Sequence, residues 1–417
     1  MKLDKKHIIS WILYDFASSS YSAVIASVVF PVYYTRAIVG GSSGQGDLWW
    51  GRAISTSMAL VALSSPFLGG IADGGRIRKG LLVVYTLLSV LAIAMLSLLK
   101  KGMALQGFFL IVLVNLGVEG GRVFYNSFLP RIAPLEFQGR VSGWGFGTGY
   151  AGSIFSLLMA FPFVRTGQLN VVWLMVAAFF LFFSMPAFFF LPSESERDYS
   201  IRKAGMTGFK QTLKTLREIW RKGKIRRFLI SYLLYQDGVN TVIVFSSLFA
   251  SATLDFAPQE LIALFLVVQV SALLGAFGLA RPTDTWGPKR VVLLALLLWT
   301  AVSMIAFFVQ TKAQFWILAS VAGIGLGTVQ AATRAFYAQF VPRENEAEYF
   351  GVFSLVGKSS AIAGPVIFGL ISRSLGSQRP AILSVAAFFL IGMIILKSVE
   401  GGDPNIRHVL DEHPSGP

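Results

Sequence analysis

The stretch "GGIADGGRIRKG" (69–80) returns in altered form as "TDTWGPKRV" (283–291). In each copy an aspartate, Asp73 or Asp284, stands five residues before a basic pair, Arg78-Lys79 or Lys289-Arg290. Both copies are short polar loops between long apolar runs. One loop used twice, half a chain apart, indicates a chain built twice on one plan, and the flanking runs show what that plan is.

The 417 residues are 54% hydrophobic and 14% charged, with a mean hydropathy of +0.65. A soluble domain is less apolar, and a polytopic membrane protein has this composition. Runs long enough to span a bilayer occur at 9–35, 49–72, 80–99, 104–130, 141–164 and 170–191. After a polar interval they resume at 227–251, 259–280, 290–310, 313–341, 350–372 and 380–397. The first run follows Lys2, Lys5 and Lys6 as a signal peptide would. It nevertheless continues to Tyr34 with Asp15 and Pro31 inside it, so it reads as the first of twelve transmembrane helices. The expected fold is all-α and integral to the membrane, two parallel six-helix bundles.

Charge placement orients the chain. With the N-terminus cytoplasmic, 25 of the 36 Lys and Arg fall on the cytoplasmic side and eight opposite. The remaining three, Arg122, Arg334 and Lys358, lie inside spans. This asymmetry puts both termini in the cytoplasm. It also accounts for the net charge of +15 without nucleic acid. The expected organisation is a first bundle at 1–192, a basic cytoplasmic linker at 193–226, a second bundle at 227–398 and a cytoplasmic tail at 399–417. In the linker, Phe209, Leu213, Leu216 and Trp220 share a helical face ringed by Lys210, Lys214, Arg217 and Arg221. That pattern predicts an amphipathic helix on a membrane surface containing anionic lipid.

The duplication extends well beyond the loops. At an offset of 212 residues, Arg122 matches Arg334, Tyr125 matches Tyr337, and Pro130-Arg131 matches Pro342-Arg343. Glu136/Glu348, Gly139/Gly351, Ser142/Ser354, Gly145/Gly357 and Gly152/Gly364 continue the register. Parallel halves around a midplane site are a recurring transporter plan. The loop pattern Gly-x-x-x-Asp-x-x-x-x-Arg-Lys resembles the signature loop of the major facilitator superfamily. An aspartate there can accept hydrogen bonds from a neighbouring helix N-terminus and pair with the basic run, which predicts gating roles for Asp73, Arg78, Lys79, Asp284, Lys289 and Arg290.

"WILYDFASSSYSAVIASVVFPVYY" (11–34) and "FYNSFLPRIAPLEFQGRVSGWGFGTGYAG" (124–152) resemble, more narrowly, the vacuolar-effluxer family of that superfamily. Phe16-Ala17-Ser18 stand where that family commonly has Trp-Ala-Asn, and Arg281-Pro282 interrupt the second loop. Eukaryotic members are associated with amino-acid export from the vacuole during autophagy, so the resemblance implies an amino-acid-like substrate.

Charges inside the spans carry the chemistry. Each costs roughly 2.5–3.5 kcal/mol at a helix centre on insertion scales. Asn115, Glu119, Arg122 and Asn126 make one stripe at i, i+4, i+7 and i+11 on the fourth span. Gln330, Arg334 and Tyr337 do so on the tenth, Asp15, Ser18, Ser19 and Ser22 on the first, and Gln236, Asp237, Asn240 and Thr241 on the seventh. In the resembled fold these four spans surround a central cavity, which Lys358 on the eleventh can reach from the side. The expected substrate contacts are Arg122, Arg334, Asp15, Asp237, Asn240, Tyr125, Tyr337, Asn126 and Lys358. Glu119, Asp15 and Asp237 are candidates for a coupling proton. Acids beside arginine forks suit a zwitterion or a small organic anion. The plainer alternative is that Glu119 and Arg122 only lock the fourth span to a neighbour.

The exclusions are chemical. No cysteine is present, and the three histidines, His7, His408 and His413, sit at the chain ends. Thiolate or imidazole catalysis within the membrane is therefore ruled out, and no metal or other cofactor is expected. "GVFSLVGKS" (351–359) has five residues between its glycines where a phosphate loop has four, and no strand precedes it. The sequence thus reads as a secondary transporter of the bacterial inner membrane, not an enzyme. It is expected to be monomeric and proton-coupled, carrying a small polar solute by alternating access. A broad efflux pump for amphipathic compounds and a transport-dead membrane receptor are the competing readings.

Overall fold

A computed structural model describes residues 4–40, 45–193, 212–343, 345–361, 363–375 and 378–399. Twelve spans follow one another, six on each side of the linker. In the first half they are α1 (Lys5–Val28 with Phe30–Val39), α2 (Gln45–Gly75), α3 (Arg78–Met95), α4 (Ala104–Ser127), α5 (Gln138–Arg165) and α6 (Leu169–Phe190). In the second they are α7 (Gly223–Leu254), α8 (Pro258–Gly278), α9 (Pro288–Phe308), α10 (Lys312–Ala338), α11 (Glu346–Ser359 with Ala363–Leu375) and α12 (Gln378–Lys397). Among the described residues, nine helices are long and apolar enough to cross a membrane outright, and the bent α1 makes a tenth. The other two are α7, which carries Lys224, Arg226, Arg227 and Asp237, and the broken α11. Phe308, Leu63, Phe189, Ile317 and Phe182 are 66–72% exposed, as side chains facing lipid must be.

Two spans are irregular for identifiable reasons. α1 bends by 41° where Pro31 follows a π-wound stretch, Tyr21–Val28, and precedes another, Tyr33–Val39. Proline supplies no N–H to the ladder, and π turns absorb the mismatch. α11 breaks after Ser359, and the first turn of its second segment needs hydrogen-bond acceptors. Both Asp237 carboxylate oxygens, from α7, lie 2.9 Å from the Gly364 N–H. Asn240 donates to Ser360 Oγ at the same break, at 3.2 Å.

The halves meet through glycine. Gly139, Gly143 and Gly147 form a stripe on α5 facing Thr283-Asp284, Ala276/Ala280 and Phe277 of the other half. A Cβ on Gly143 would lie 2.6 Å from Ala280 Cβ and 2.7 Å from the Ala276 carbonyl oxygen. The counterpart seam runs between α2 and α11, where Gly69 abuts the Ala347 carbonyl and Gly351 abuts that of Ser65. Close backbone approach of this kind is what small residues permit between membrane helices. Both seams lie on the side of the molecule that carries the basic loops, called the basic face below.

Residues 212–221 of the linker are helical, with Thr212, Thr215 and Ile219 turned inward and Leu213 and Trp220 outward. Of the expected apolar face, Leu216 packs on the protein beside Ile219, whereas Leu213 and Trp220 point away from it. Hydrogen-bonding threonines, whose hydroxyls find partners on the bundles, share the inward side. Phe209 and Lys210, like the tail beyond Val399, lie outside the described residues.

Because the basic-face seams tolerate no side chain at Gly143, Gly143→Leu should prise them apart. Ser65 and Ser354 face each other across the other seam with their oxygens 3.4 Å apart. In a chain without native cysteine, the pair Ser65→Cys and Ser354→Cys should cross-link readily on oxidation. Adding Gly143→Leu should slow that cross-linking by roughly tenfold, the effect of about 1.4 kcal/mol from an overpacked contact. An unchanged rate would show that the α5–α8 contact does not hold the face closed.

Candidate functional site

Five of the six candidate charges inside the spans come together in two groups, each joining the halves, and Asp237 stands apart at the α11 break. In the first, Glu119 on α4 accepts from Arg122 Nη1 at 2.8 Å and from Lys358 Nζ on α11 at 2.6 Å. Arg122 extends its other nitrogen to Ser22 Oγ on α1, at 2.9 Å. The Arg122 side chain keeps 35% of its surface accessible and that of Lys358 keeps 24%. This group has charge to spare, two cations against one acid, and it can be reached.

The second group is saturated. Arg334 on α10 donates to Asp15 at 3.2 Å, to Asn126 at 3.3 Å, and to Ser142 Oγ and its carbonyl oxygen at 2.9 and 2.8 Å. Its guanidinium lies over Trp11 and Phe146, 4.6 and 4.0 Å from the ring centres. Only 3% of Arg334 is exposed. The two arginines matched by the repeat, both expected to contact substrate, are therefore placed differently. Arg122 is accessible, whereas Arg334 is a planar tether packed between rings of the first half, a task suited to its rigid fork.

Other expected contacts are also engaged elsewhere. Tyr125 stacks on Trp11 and Tyr14 and is buried. Tyr337 is buried and donates to the Tyr349 carbonyl at 2.7 Å. Asp237 is occupied at the α11 break, with Asn240 beside it. Asn115, on the Glu119 stripe, accepts from Tyr21 and donates to Ser57 within the first half. Sequence reading passed over Ser142 and Tyr150, which donates to Gln330 across the halves at 2.7 Å. Both lie on α5, whose glycines hide its polar stripe.

The two loop aspartates do the same thing on opposite halves. Asp73 accepts from the Ala347 and Glu348 N–H groups, 3.1 and 2.8 Å away, at the start of α11. Asp284 accepts from the Gly139 and Arg140 N–H groups, 2.7 and 3.2 Å away, at the start of α5. Each carboxylate caps the positive end of a helix in the other half. Arg78, fully buried, joins Asp73 to Glu346, whose carboxylate also holds Arg131 at 3.1 Å. The cation on Asp284 is Arg140, at 2.7 Å, and not the expected Lys289-Arg290. Burial pushes the Asp284 carboxyl above its usual range, which Arg140 and the two backbone donors offset only in part.

Lys79 and Lys289 have another use. They donate to carbonyls at the ends of α6 and α12, Leu191 at 2.8 Å and Lys397 at 2.9 Å. A cation is favourable where a helix leaves carbonyls unpaired. Arg290 is exposed. Glu346, Arg131 and Arg140 had a signal available in the acidic first turn of α11 and in the repeated Pro-Arg and Gly positions.

These features can be set beside known proteins. The family model for vacuole effluxer Atg22-like proteins matches residues 51–402. An uncharacterized MFS-type transporter of Bacillus subtilis, YxiO, is 29% identical over 411 residues, covering 96% of both chains. Autophagy-related protein 22-1 of Neosartorya fischeri is 25% identical over 315 residues, 68% of this chain and 52% of the fungal one. Among solved structures, the human organic anion transporter MFSD10 aligns with a TM-score of 0.74 at 14% identity, covering 94% of this chain and 98% of that one. The transporter FucP in its outward conformation aligns at 0.68 and 13% identity, covering 95% and 98%. With a matched region spanning eleven of the twelve helices and both loop aspartates, the chain belongs to the vacuole effluxer Atg22-like family of transporters and has the major facilitator fold.

Proposed function

We propose that the protein is a proton-coupled secondary transporter of a small zwitterionic or anionic solute, amino-acid-like in size. The observation that carries this reading is Glu119, held at once by Arg122 of its own helix and Lys358 of the other half. The basic face is the cytoplasmic one in this reading, as the lysine and arginine asymmetry implies. The latched seams then describe the state closed to the cytoplasm.

An arriving carboxylate competes for Arg122 and Lys358, which already have an acceptor. A carboxylate left without cations in a low-dielectric cavity is costly, and binding a proton removes the charge. Glu119 thus takes up a proton as the solute displaces it, so occupancy and protonation change together. Asp15 and Arg334 stay paired and keep the halves in register, and the Asp73 and Asp284 caps break when the cytoplasmic side opens. A carboxylate and a proton that arrive together leave the net charge of the cavity unchanged, and a change of net charge inside a bilayer is costly, which ties the transfer of solute to that of the proton.

Two variants test the assignment in purified, liposome-reconstituted protein. Arg122→Lys keeps the charge and loses the planar fork, so solute binding should weaken by about 1.5–3 kcal/mol, as for one charge-assisted hydrogen bond. Normal affinity in Arg122→Lys would remove it from the binding site. Glu119→Gln should abolish accumulation driven by a pH gradient while leaving exchange down the solute's own gradient. If the Gln variant still concentrates solute when a pH gradient is imposed, the coupling proton resides on another group.

A further inference from the structure

The linker helix at 212–221 lies across the seam between the halves. Thr212 Oγ1 donates to the Pro66 carbonyl of α2, in the first half, at 3.4 Å. One turn on, Thr215 Oγ1 donates to the Glu348 carboxylate of α11, in the second half, at 3.1 Å. Glu348 is the residue whose N–H Asp73 caps. The helix is thus bonded to both helices that part when the basic face opens, next to the latch itself.

Its other side has a different chemistry. Leu213, Lys214, Arg217, Trp220 and Arg221 follow at i, i+1, i+4, i+7 and i+8, and all five are exposed, Leu213 by 51% and Trp220 by 63%. Glu218, the acid nearest this stripe, is drawn to Lys214 at 3.9 Å. Three cations beside a leucine and a tryptophan complement an anionic bilayer surface. The apolar pair enters the headgroup boundary while the cations meet phosphates.

We propose that this helix is a lipid-dependent strap: its outward stripe binds the anionic bilayer, and the bound helix holds the cytoplasmic seam closed through Thr212 and Thr215. The threonine contacts to α2 and α11 can coexist only while those helices are adjacent. Anything that fixes the helix in this place therefore favours the closed seam. Anionic lipid fixes it from outside without touching the solute site. The strap rests on the alternating-access reading but on neither the proposed solute nor the proton.

The test uses the full chain in nanodiscs, with the Ser65→Cys and Ser354→Cys pair as the reporter of closure. Replacing a third of the phosphatidylethanolamine by phosphatidylglycerol should speed oxidative cross-linking roughly fivefold, the equilibrium bias of one basic side chain near a charged membrane. High salt should cancel the gain. Lys214→Gln with Arg217→Gln and Arg221→Gln should remove the lipid response. Thr212→Val with Thr215→Val should remove it too, although the basic stripe is intact. Equal cross-linking of the parent in both lipids would overturn the proposal, as would a full lipid response in the threonine variant. A soluble acidic polymer that reproduced the gain in neutral discs would overturn the bilayer as partner. Because cross-linking needs no solute, failure to find transport would leave this result readable.

Discussion

A formal charge inside a bilayer must have a partner, and here each of the two ion-pair groups inside the spans takes one from the opposite half of the chain. Asp15 is held by Arg334 and Glu119 by Lys358. Neither half could bury its own set comfortably, since breaking such a pair leaves an uncompensated charge in a poor solvent. The bilayer thus makes the two bundles electrostatically dependent on each other. Packing alone would give a stiffer joint, because close-packed glycine seams are either made or broken, whereas ion pairs can exchange partners.

The duplicated plan has been spent unequally. Arg122 and Arg334 occupy equivalent positions, yet one is accessible and the other is stacked between aromatic rings of the first half. The two loop aspartates kept their shared task of capping a helix in the other half. Only the first acquired a buried network, in which Arg78 reaches both Asp73 and Glu346. The copies have thus diverged at the centre and kept their common pattern at the loops.

Legibility in the sequence followed the range of the interaction. Spans, their number and the duplication are matters of local hydropathy and register, so they could be read directly. Asp73 and Asp284 stood out because their spacing to basic residues repeats. Partner choice could not be read, since it depends on which helix faces which. Asp237 shares a stripe with Asn240, and nothing local says that both serve a break in α11 instead of a solute. Lys79 and Lys289 lie beside aspartates in the chain but beside the carbonyl ends of α6 and α12 in space. The glycines of α5 looked like a packing motif, and they are one. They also let Arg334 approach, because a Cβ at Gly145 would meet its guanidinium at 2.9 Å.

The break in α11 has an electrical consequence. Ending the first segment at Ser359 leaves Lys358 in its final turn, where the unpaired carbonyls of a helix terminus carry roughly half an electron of negative charge. Lys358 therefore has two sources of negative potential, the Glu119 carboxylate and the end of its own helix. Arg122, more than a turn before the end of α4 at Ser127, lies outside the last turn, where that field is strongest. Neutralising the shared acid is thus felt unevenly: the lysine keeps a counter-field built from backbone, and the arginine keeps the hydroxyl of Ser22 and the more distant charge of Asp15. The break gives one cation of the pair a field from the backbone itself, while the other depends on neighbouring side chains.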